Sequence, residues 1–508
     1  MTSDNSDIMI LAGAVTAEAM GDRLGKLVLD TPEAGETAGF VLLDTFDQAV
    51  RKAGSVLIET GGQLQLMQPG GVVRTQAAKR SGNFVADFAD GPVKDALSGL
   101  EPLRSLLVVG RGELRQSAAV AKDDEDKTHA RVRFSTLVPD GAGKKVTLVS
   151  LQPLRGYEKS FEALGSRVQD VSKGPEMEVR DLYARLFPDT LDYDPKPDVG
   201  MTGGETAFQA ATDIMRAYLA VARRNEDGTI ADHDTEFLHD YRVALRKIRS
   251  VISLFRGVFS DAETARLKTV FSDLMAPTGR LRDLDVYLLE KDTYFDLLPE
   301  TLHDGLTAMF AQFAKERNAV QKQVARRLRS ATYARQMAAL QAEFDGATGL
   351  EPGPAADRLA HDYACELIWK RYRKVCKIAR AIDDTTPDED VHELRIHCKK
   401  LRYLMEFFAP LFPAADIKAL IKPLKVLQDN LGLFNDYSVQ QASLQDFLDS
   451  RSGVRKQDVT IAKSIGALIA ILHRRQLEER ARVVSSFAHF DSEDVQLAFR
   501  AMFKESEV

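Results

Sequence analysis

A set of basic positions occurs twice in this chain at a constant offset. His239, Arg242, Arg246, Lys247 and Arg249 lie in HDYRVALRKIRSVISLFRGVF (239–259). His392, Arg395, Lys399, Lys400 and Arg402 lie in VHELRIHCKKLRYLMEFFAPLF (391–412), each 153 positions later. Guanidinium groups offer paired hydrogen bonds to phosphate oxygens, and lysines add mobile point charges. The chemistry this pattern can do is the binding of an anion. It contains no activated nucleophile and no metal cage.

Helical geometry sharpens that expectation. At 100° per residue, His239, Arg242, Arg246 and Arg249 fall within an arc of about 80°, while Tyr241, Leu245, Ile248, Ile252 and Phe255 take the opposite side. The second copy divides in the same way: His392, Arg395, Lys399 and Arg402 oppose Leu394, Cys398, Leu401, Met405 and Phe408. Each helix then packs by one face and presents a basic strip roughly 15 Å long on the other. Like charges at i,i+4 destabilise a helix. A single such strip is an ordinary solvated surface, but the repeated register favours two related units facing one anionic ligand.

Further basic residues can enlarge the site or serve as surface charge. Arg326, Arg327 and Arg329 form one set. Arg371, Arg373, Lys374, Lys377 and Arg380 form another, beside Trp369 and Tyr372; Lys370, Arg373, Lys374 and Lys377 share a helical face. Lys422 and Lys425 precede a later motif, LFNDYSVQQ (433–441), which resembles RLRDLDVYL (280–288). Asp283 and Asp436 within these motifs are again 153 apart.

These strips need helices to carry them, and the pattern from Glu205 onward supplies helices. The expected spans are 205–224, 235–259, 262–275, 281–294, 300–344, 357–380, 389–409, 417–430, 435–451, 460–484 and 489–504. The first 190 residues read instead as mixed α/β. Short strands are expected in DIMILAG (7–13), FVLLDTFD (40–47), SVLIETGGQLQLMQ (55–68), NFVADFAD (83–90), RSLLVVGRGEL (104–114), THARVRFSTLV (128–138) and KKVTLVSLQPL (144–154). Gly61 and Gly62 suit a hairpin turn. Helices are expected over 158–169 and 177–187. The Pro-, Gly- and Asp-rich run at 187–205 marks a boundary. The division expected is 1–190, a linker over 191–204, and 205–508, with halves of about 205–350 and 351–508.

Size and charge agree with several domains. The chain has 508 residues, 44% of them hydrophobic, and a formal net charge of -7. That charge argues against indiscriminate nucleic-acid binding by the whole surface. Two basic strips within an overall acidic chain focus anions locally. Cys365, Cys376 and Cys398 have no metal-ligand spacing, and a reduced, cytoplasmic setting is expected. The sequence shows no basic n-region of a secretory leader and no membrane helix.

The two H-x-x-R-x-x-x-[RK]-[RK]-x-R helices, each followed by an Arg-Asp or Asn-Asp motif, resemble the conserved histidine α-helical domain family, CHAD, over roughly 205–508. The resemblance implies two tandem, pseudo-symmetric helical bundles and binding of inorganic polyphosphate through a basic surface. It carries the basic roles onto the two sets of five residues, and the motif acid onto Asp283 and Asp436. Arg282 precedes the first acid where Asn435 precedes the second, so the halves differ. Members of this family often carry a CYTH domain, the tunnel fold of triphosphate-processing enzymes. LLDTFDQAVRKAGSVLIETGGQLQLM (42–67) is similar to a worn version of it. That family's E-x-E-x-K strand has as its counterpart DIMILAG, where Ile8, Met9, Ile10 and Leu11 follow Asp7.

Triphosphate hydrolysis needs carboxylates to hold a divalent ion and cations to neutralise developing charge. Glu59, Arg74, Lys79, Arg80, Arg131, Arg133 and Glu158 form no paired constellation in the sequence. The expectation is therefore a two-domain protein, a degenerate CYTH-like mixed α/β domain followed by an all-α region. It binds inorganic polyphosphate without catalysis, metal or cofactor, and is recruited to polyphosphate deposits in the cytoplasm. No specific nucleic acid and no membrane partner are expected. Two alternatives stay open: an RNA- or DNA-binding helical scaffold, against which the scarcity of aromatics in the strips argues, and a metal-dependent triphosphatase or polyphosphatase.

Overall fold

Several N-terminal strands bury consecutive residues, so the sheet they form carries apolar material on both faces. In the computed structural model, residues 8–504 are described apart from 33, 34, 36, 173–175, 189–191, 347–348, 384 and 452–455. Asp7 and residue 191 of the expected linker lie outside the described residues. The chain divides into two units, Met1–Asp194 and Pro195–Val508.

The first unit is a curled antiparallel sheet of ten strands: β1 (Ile8–Ala12), β2 (Arg23–Leu24), β3 (Leu27–Asp30), β4 (Ala38–Thr45), β5 (Val56–Thr60), β6 (Gln63–Met67), β7 (Val73–Ala77), β8 (Leu106–Lys122), β9 (Thr128–Pro139) and β10 (Val146–Pro153). The main order is β1-β10-β9-β8-β4-β5-β6-β7. Four helices accompany it: α1 (Ala49–Lys52), α2 (Pro92–Leu97), α3 (Glu158–Val171) and α4 (Val179–Leu186). On β9, Val132 and Phe134 are buried while Arg131 and Arg133 are exposed, the period-2 alternation of a half-buried strand. Leu164 and Val168 of α3 share that core with Phe134 and Val149, and α4 buries Leu182 and Tyr183 in a second one with Phe40 and Ile58. Gly61 (φ 55°) and Gly62 (φ 72°) form the two-residue turn between β5 and β6.

Two strand expectations change. NFVADFAD is not a strand: Val85–Asp87 is a 3-10 turn, because the Asp87 carboxylate accepts the Phe84 N–H at 2.9 Å and folds the segment on itself. Conversely, Val73–Ala77, which like Arg23–Leu24 and Leu27–Asp30 lies outside the expected strands, becomes a strand by pairing with β6.

The second unit is helical: α5 (Ala207–Arg224), α6 (Glu226–Ala231), α7 (Thr235–Leu254), α8 (Asp261–Met275), α9 (Gly279–Leu289), α10 (Lys291–Asp296), α11 (His303–Leu328), α12 (Ala331–Gly346), α13 (Ala360–Ala379), α14 (Asp388–Phe407), α15 (Ala414–Asp449), α16 (Lys456–Phe490) and α17 (Glu493–Phe503). The Asp234 carboxylate starts α7 by accepting the N–H groups of Glu236 and Phe237. Asp388, Glu389 and Asp390 occupy the first turn of α14, where acids suit the helix dipole. The span 300–344 breaks at Ser330, whose hydroxyl accepts the Tyr333 N–H.

The spans 417–430 and 435–451 are one continuous helix, α15, which runs through Pro423. The polar residues that suggest an interruption are instead cross-links: the Asn430 amide donates to the Glu479 carboxylate of α16 at 2.8 Å. Residues on either side of position 350 share a core. Leu284, Tyr287, Met309 and Phe313 pack with Leu444, Ile461, Ile465 and Leu472. Among the described residues no helix is long and apolar enough to cross a membrane.

Candidate anion-binding site

The apolar faces of α7 and α14 are buried as their periodicity demands. Tyr241, Leu245, Ile248 and Ile252 are inside on one helix, and Leu394, Cys398, Leu401 and Met405 on the other. The two helices also pack against each other. Phe255 and Phe408, at their C-terminal ends, stack at 4.8 Å with planes 12° apart. These two residues hold equivalent places in the repeat. So do Tyr287 and Gln440, where the Tyr287 hydroxyl donates to the Gln440 carbonyl at 3.4 Å. Arg246 and Lys399 make a third equivalent pair, and these two repel each other as like charges.

This crowding is the main electrostatic feature of the site. Burial pulls the Lys399 ammonium down to about 8, and repulsion from Arg246, Arg395 and Arg402 adds to the effect; Asp436 opposes it. Asp436 lies 3.7 Å from Arg395. The Arg246 Nε is buried without a hydrogen-bond partner, whereas the Arg402 Nε lies 3.3 Å from the Glu406 carboxylate. Buried N–H groups in that condition are poised for an acceptor.

A cavity of about 620 Å³ adjoins this seam. His239, Arg242, Arg246, Arg282 and Asp283 line it from the first half, and Asn435, Asp436 and Arg475 from the second. Arg242 is held by the Thr278 hydroxyl at 2.6 Å. Burial lowers its pKa from the usual arginine value, with Asp283 opposing and Arg246 and Arg282 reinforcing the shift. Each motif acid thus offsets the crowding of a neighbouring cation, Asp283 that of Arg242 and Asp436 that of Lys399.

The repeat alignment does not give every basic residue the same part. Lys247 is buried, its ammonium bound to the Glu406 carboxylate and lying 4.2 Å from the Tyr403 ring. Read from sequence as a ligand contact, Lys247 is a tie between α7 and α14 instead. It sits about 80° off the basic strip, and that rotation turns it into the helix interface. Its partner in the repeat, Lys400, faces Arg371 and Arg256; burial and then those two guanidiniums lower its pKa. Arg249 and His392 are exposed, Arg249 lying 3.5 Å from the Met275 sulfur.

The outer basic residues are dispersed. Arg326 is exposed on α11, where its Nε meets the Lys322 carbonyl of the same helix. Lys422 and Lys425 are exposed on α15. Neither these three nor Arg373, Lys374 and Lys377 line the central cavity. The last three share a separate groove between α13 and α17.

His397 is a group that sequence reasoning passed over. Its Nδ1 lies 2.7 Å from Arg371 Nη1. Burial first, then Arg371, Lys400 and Lys374, push its pKa down to about 4. It is thus a neutral acceptor that fixes Arg371. Ala244 holds the corresponding place in the first copy, so a search for repeated residues skips it.

In the first unit, Glu59 is paired with Arg80 at 2.8 Å and Arg74 donates to Gln68. A hollow of about 180 Å³ on the sheet has Arg133 as its single charged lining residue among the described residues, beside neutral groups such as Ile58, Gln65, Leu114 and Leu148. Among the described residues no group of three or more His, Cys, Asp or Glu side chains could hold a metal ion.

Residues 213–445 match the model of the CHAD domain. The chain is also similar to the crystal structure of the CHAD domain from the plant Ricinus communis, at 24% identity and TM-score 0.48, over 58% of this chain and 96% of that one. It is similar to PptA from Streptomyces chartreusis at 16% identity and TM-score 0.36, over 58% of this chain and 99% of that one. At these scores neither likeness bears on the ligand. None of the curated proteins compared matches the chain.

Proposed function

We propose that this protein binds inorganic polyphosphate at the seam between α7 and α14 and performs no chemistry on it. The observation that carries this reading is the convergence of cations from both copies of the repeat: Arg246 lines one cavity with Asp436, Asp436 lies 3.7 Å from Arg395, and Lys399 is crowded by Arg246, Arg395 and Arg402. Holding like charges together costs stability, and a polyanion relieves that cost. The CHAD match supports the same reading, since that family is linked to polyphosphate- and triphosphate-binding proteins.

A pseudo-twofold relation between the halves belongs to this proposal. Two pairs of repeat-equivalent residues meet one another, Phe255 with Phe408 and Tyr287 with Gln440, and a third pair, Arg246 and Lys399, repel each other electrostatically. Self-contact of equivalent positions is what residues near a twofold axis do. A long ligand crossing such an axis engages both strips, and its first contact raises the effective concentration for the second. We read the N-terminal unit as a degenerate CYTH-like domain without a metal-binding acid pair, and the setting as cytoplasmic polyphosphate deposits.

The test is a titration of long and short polyphosphate against wild type, Arg246→Gln, Lys399→Gln and the double variant at fixed salt. Circular dichroism serves as the folding control. The double variant is expected to lose long-chain affinity by more than either single change. Unchanged affinity in the folded double variant would place the ligand elsewhere. Stronger binding of RNA than of polyphosphate in direct competition would favour a nucleic-acid scaffold.

A further inference from the structure

The groove between α13 and α17, about 850 Å³, lies apart from the seam and has a different chemistry. Lys370, Arg373, Lys374, Lys377, Arg380 and Arg500 line it, with Glu366 as its one acid. Some of this charge is already engaged. Arg380 makes two hydrogen bonds to Asp491, at 2.9 and 2.8 Å; Lys374 lies 3.3 Å from Glu393; and Glu366 pairs with Arg358 at 2.7 Å. Lys370, Arg373, Lys377 and Arg500 make no ion pair among the described residues. The groove therefore carries an uncompensated positive charge.

Its second feature is aromatic. Tyr372 stacks on Phe499 of α17 at 4.0 Å with planes 8° apart. Trp369 stacks on Tyr372 at 5.6 Å and 29°. The ladder is anchored in the core by Phe499, and Trp369 ends it at the groove wall. A rigid indole beside a row of cations suits a ligand that has both a flat ring and phosphates.

We propose that this groove is a second anion site, which takes one nucleoside polyphosphate with its base against Trp369 and its phosphates along Arg373, Lys377 and Arg500. Inorganic polyphosphate gains nothing from an indole face. A nucleic-acid strand needs aromatic platforms at successive bases, and this groove has one. From Trp369 to Lys377 the helix advances roughly 12 Å, the reach of one nucleotide with its phosphate tail. The volume lies within the range of small-molecule sites.

The chain contains a single tryptophan, so emission excited above 295 nm reports on this groove alone. ATP and inorganic tripolyphosphate are titrated without metal at fixed salt, with calorimetry as the second readout. ATP is expected to quench Trp369 and to bind about 5-fold or more tighter than tripolyphosphate, the contribution of stacking one base. Trp369→Leu should bring ATP affinity down to that of tripolyphosphate and leave tripolyphosphate unchanged. Arg373→Gln with Lys377→Gln should weaken both and keeps the tryptophan as a check on folding. Arg246→Gln with Lys399→Gln should leave ATP quenching intact, which separates this site from the seam. If Trp369→Leu does not fold, the ATP-to-tripolyphosphate ratio in wild type and the Arg373/Lys377 variant decide the question. Equal affinity for ATP and tripolyphosphate would overturn the proposal. So would a preference for ATP that survives Trp369→Leu, or displacement of ATP by a short single-stranded oligonucleotide at lower concentration than ATP itself.

Discussion

Replacing Lys399 by Met should stabilise the unliganded protein while weakening its hold on polyphosphate. The folded protein keeps this ammonium at about 8 against an ordinary 10.5. At about 1.4 kcal/mol per pH unit, that difference is about 3 kcal/mol against the charged form. Lys399 is half-buried and lies 5.7 Å from the Tyr403 ring. Solvent screening and the lost ring contact reduce the expected gain at pH 7 to about 1–2 kcal/mol. For a unit of this size the melting temperature should rise by about 2–6 °C. The pH dependence has a definite sign. The unfolded chain holds this proton more tightly, so the penalty is complete below about pH 8 and disappears as pH rises from there toward 10.5. Wild-type stability should gain over that interval through this group, and Lys399→Met should lack that gain. Polyphosphate reverses the crowding, so binding at pH 8 should take up about half a proton in wild type. Near pH 6.5, where Lys399 is already protonated, uptake through it should be negligible. Calorimetry in two buffers of different ionisation enthalpy measures this directly. A destabilised variant, or equal proton uptake in wild type and Lys399→Met at pH 8, would refute the reasoning.

Three further outcomes follow from particular contacts. Lys247→Ala should destabilise the helical unit by about 1–2 kcal/mol, since it removes the tie to Glu406 and the contact with the Tyr403 ring; polyphosphate affinity measured on the folded fraction should hold. Burial raises Asp44 to about 6 against 3.8, although its carboxylate accepts the N–H groups of Thr45, Val50 and Arg51. Stability through Asp44 is thus greatest below about pH 3.8 and is lost as pH rises through 6; urea unfolding of wild type and Asp44→Asn at pH 4 and 7 should show the variant gaining on wild type at the higher pH. With magnesium or manganese, the protein should release no substantial phosphate from tripolyphosphate, because Glu59 is committed to Arg80 and Arg133 stands among neutral groups. Turnover that disappears on substitution of acids in the first unit would reverse that expectation.

The sequence by itself determined the helices and the faces they bury. A basic residue every third or fourth position opposite an apolar stripe has one helical solution, and α7 and α14 adopt it. It also determined the correspondence of the two copies, since an offset of 153 places Arg246 against Lys399 and Phe255 against Phe408 whatever their separation in space. Local chemistry settled the Gly61-Gly62 hairpin for the same reason: only the two residues of the turn are involved. Tertiary structure decided which charges are available. Lys247 and Lys400 occupy matched positions, yet one is buried against Glu406 and the other faces Arg371, because their neighbours come from different helices far along the chain. The neutral state of His397 depends on its burial and then on Arg371, and the groove at Trp369 depends on α17 covering Tyr372. Periodicity fixes the direction of a side chain on its own helix; burial and charge are set by what the fold brings opposite it.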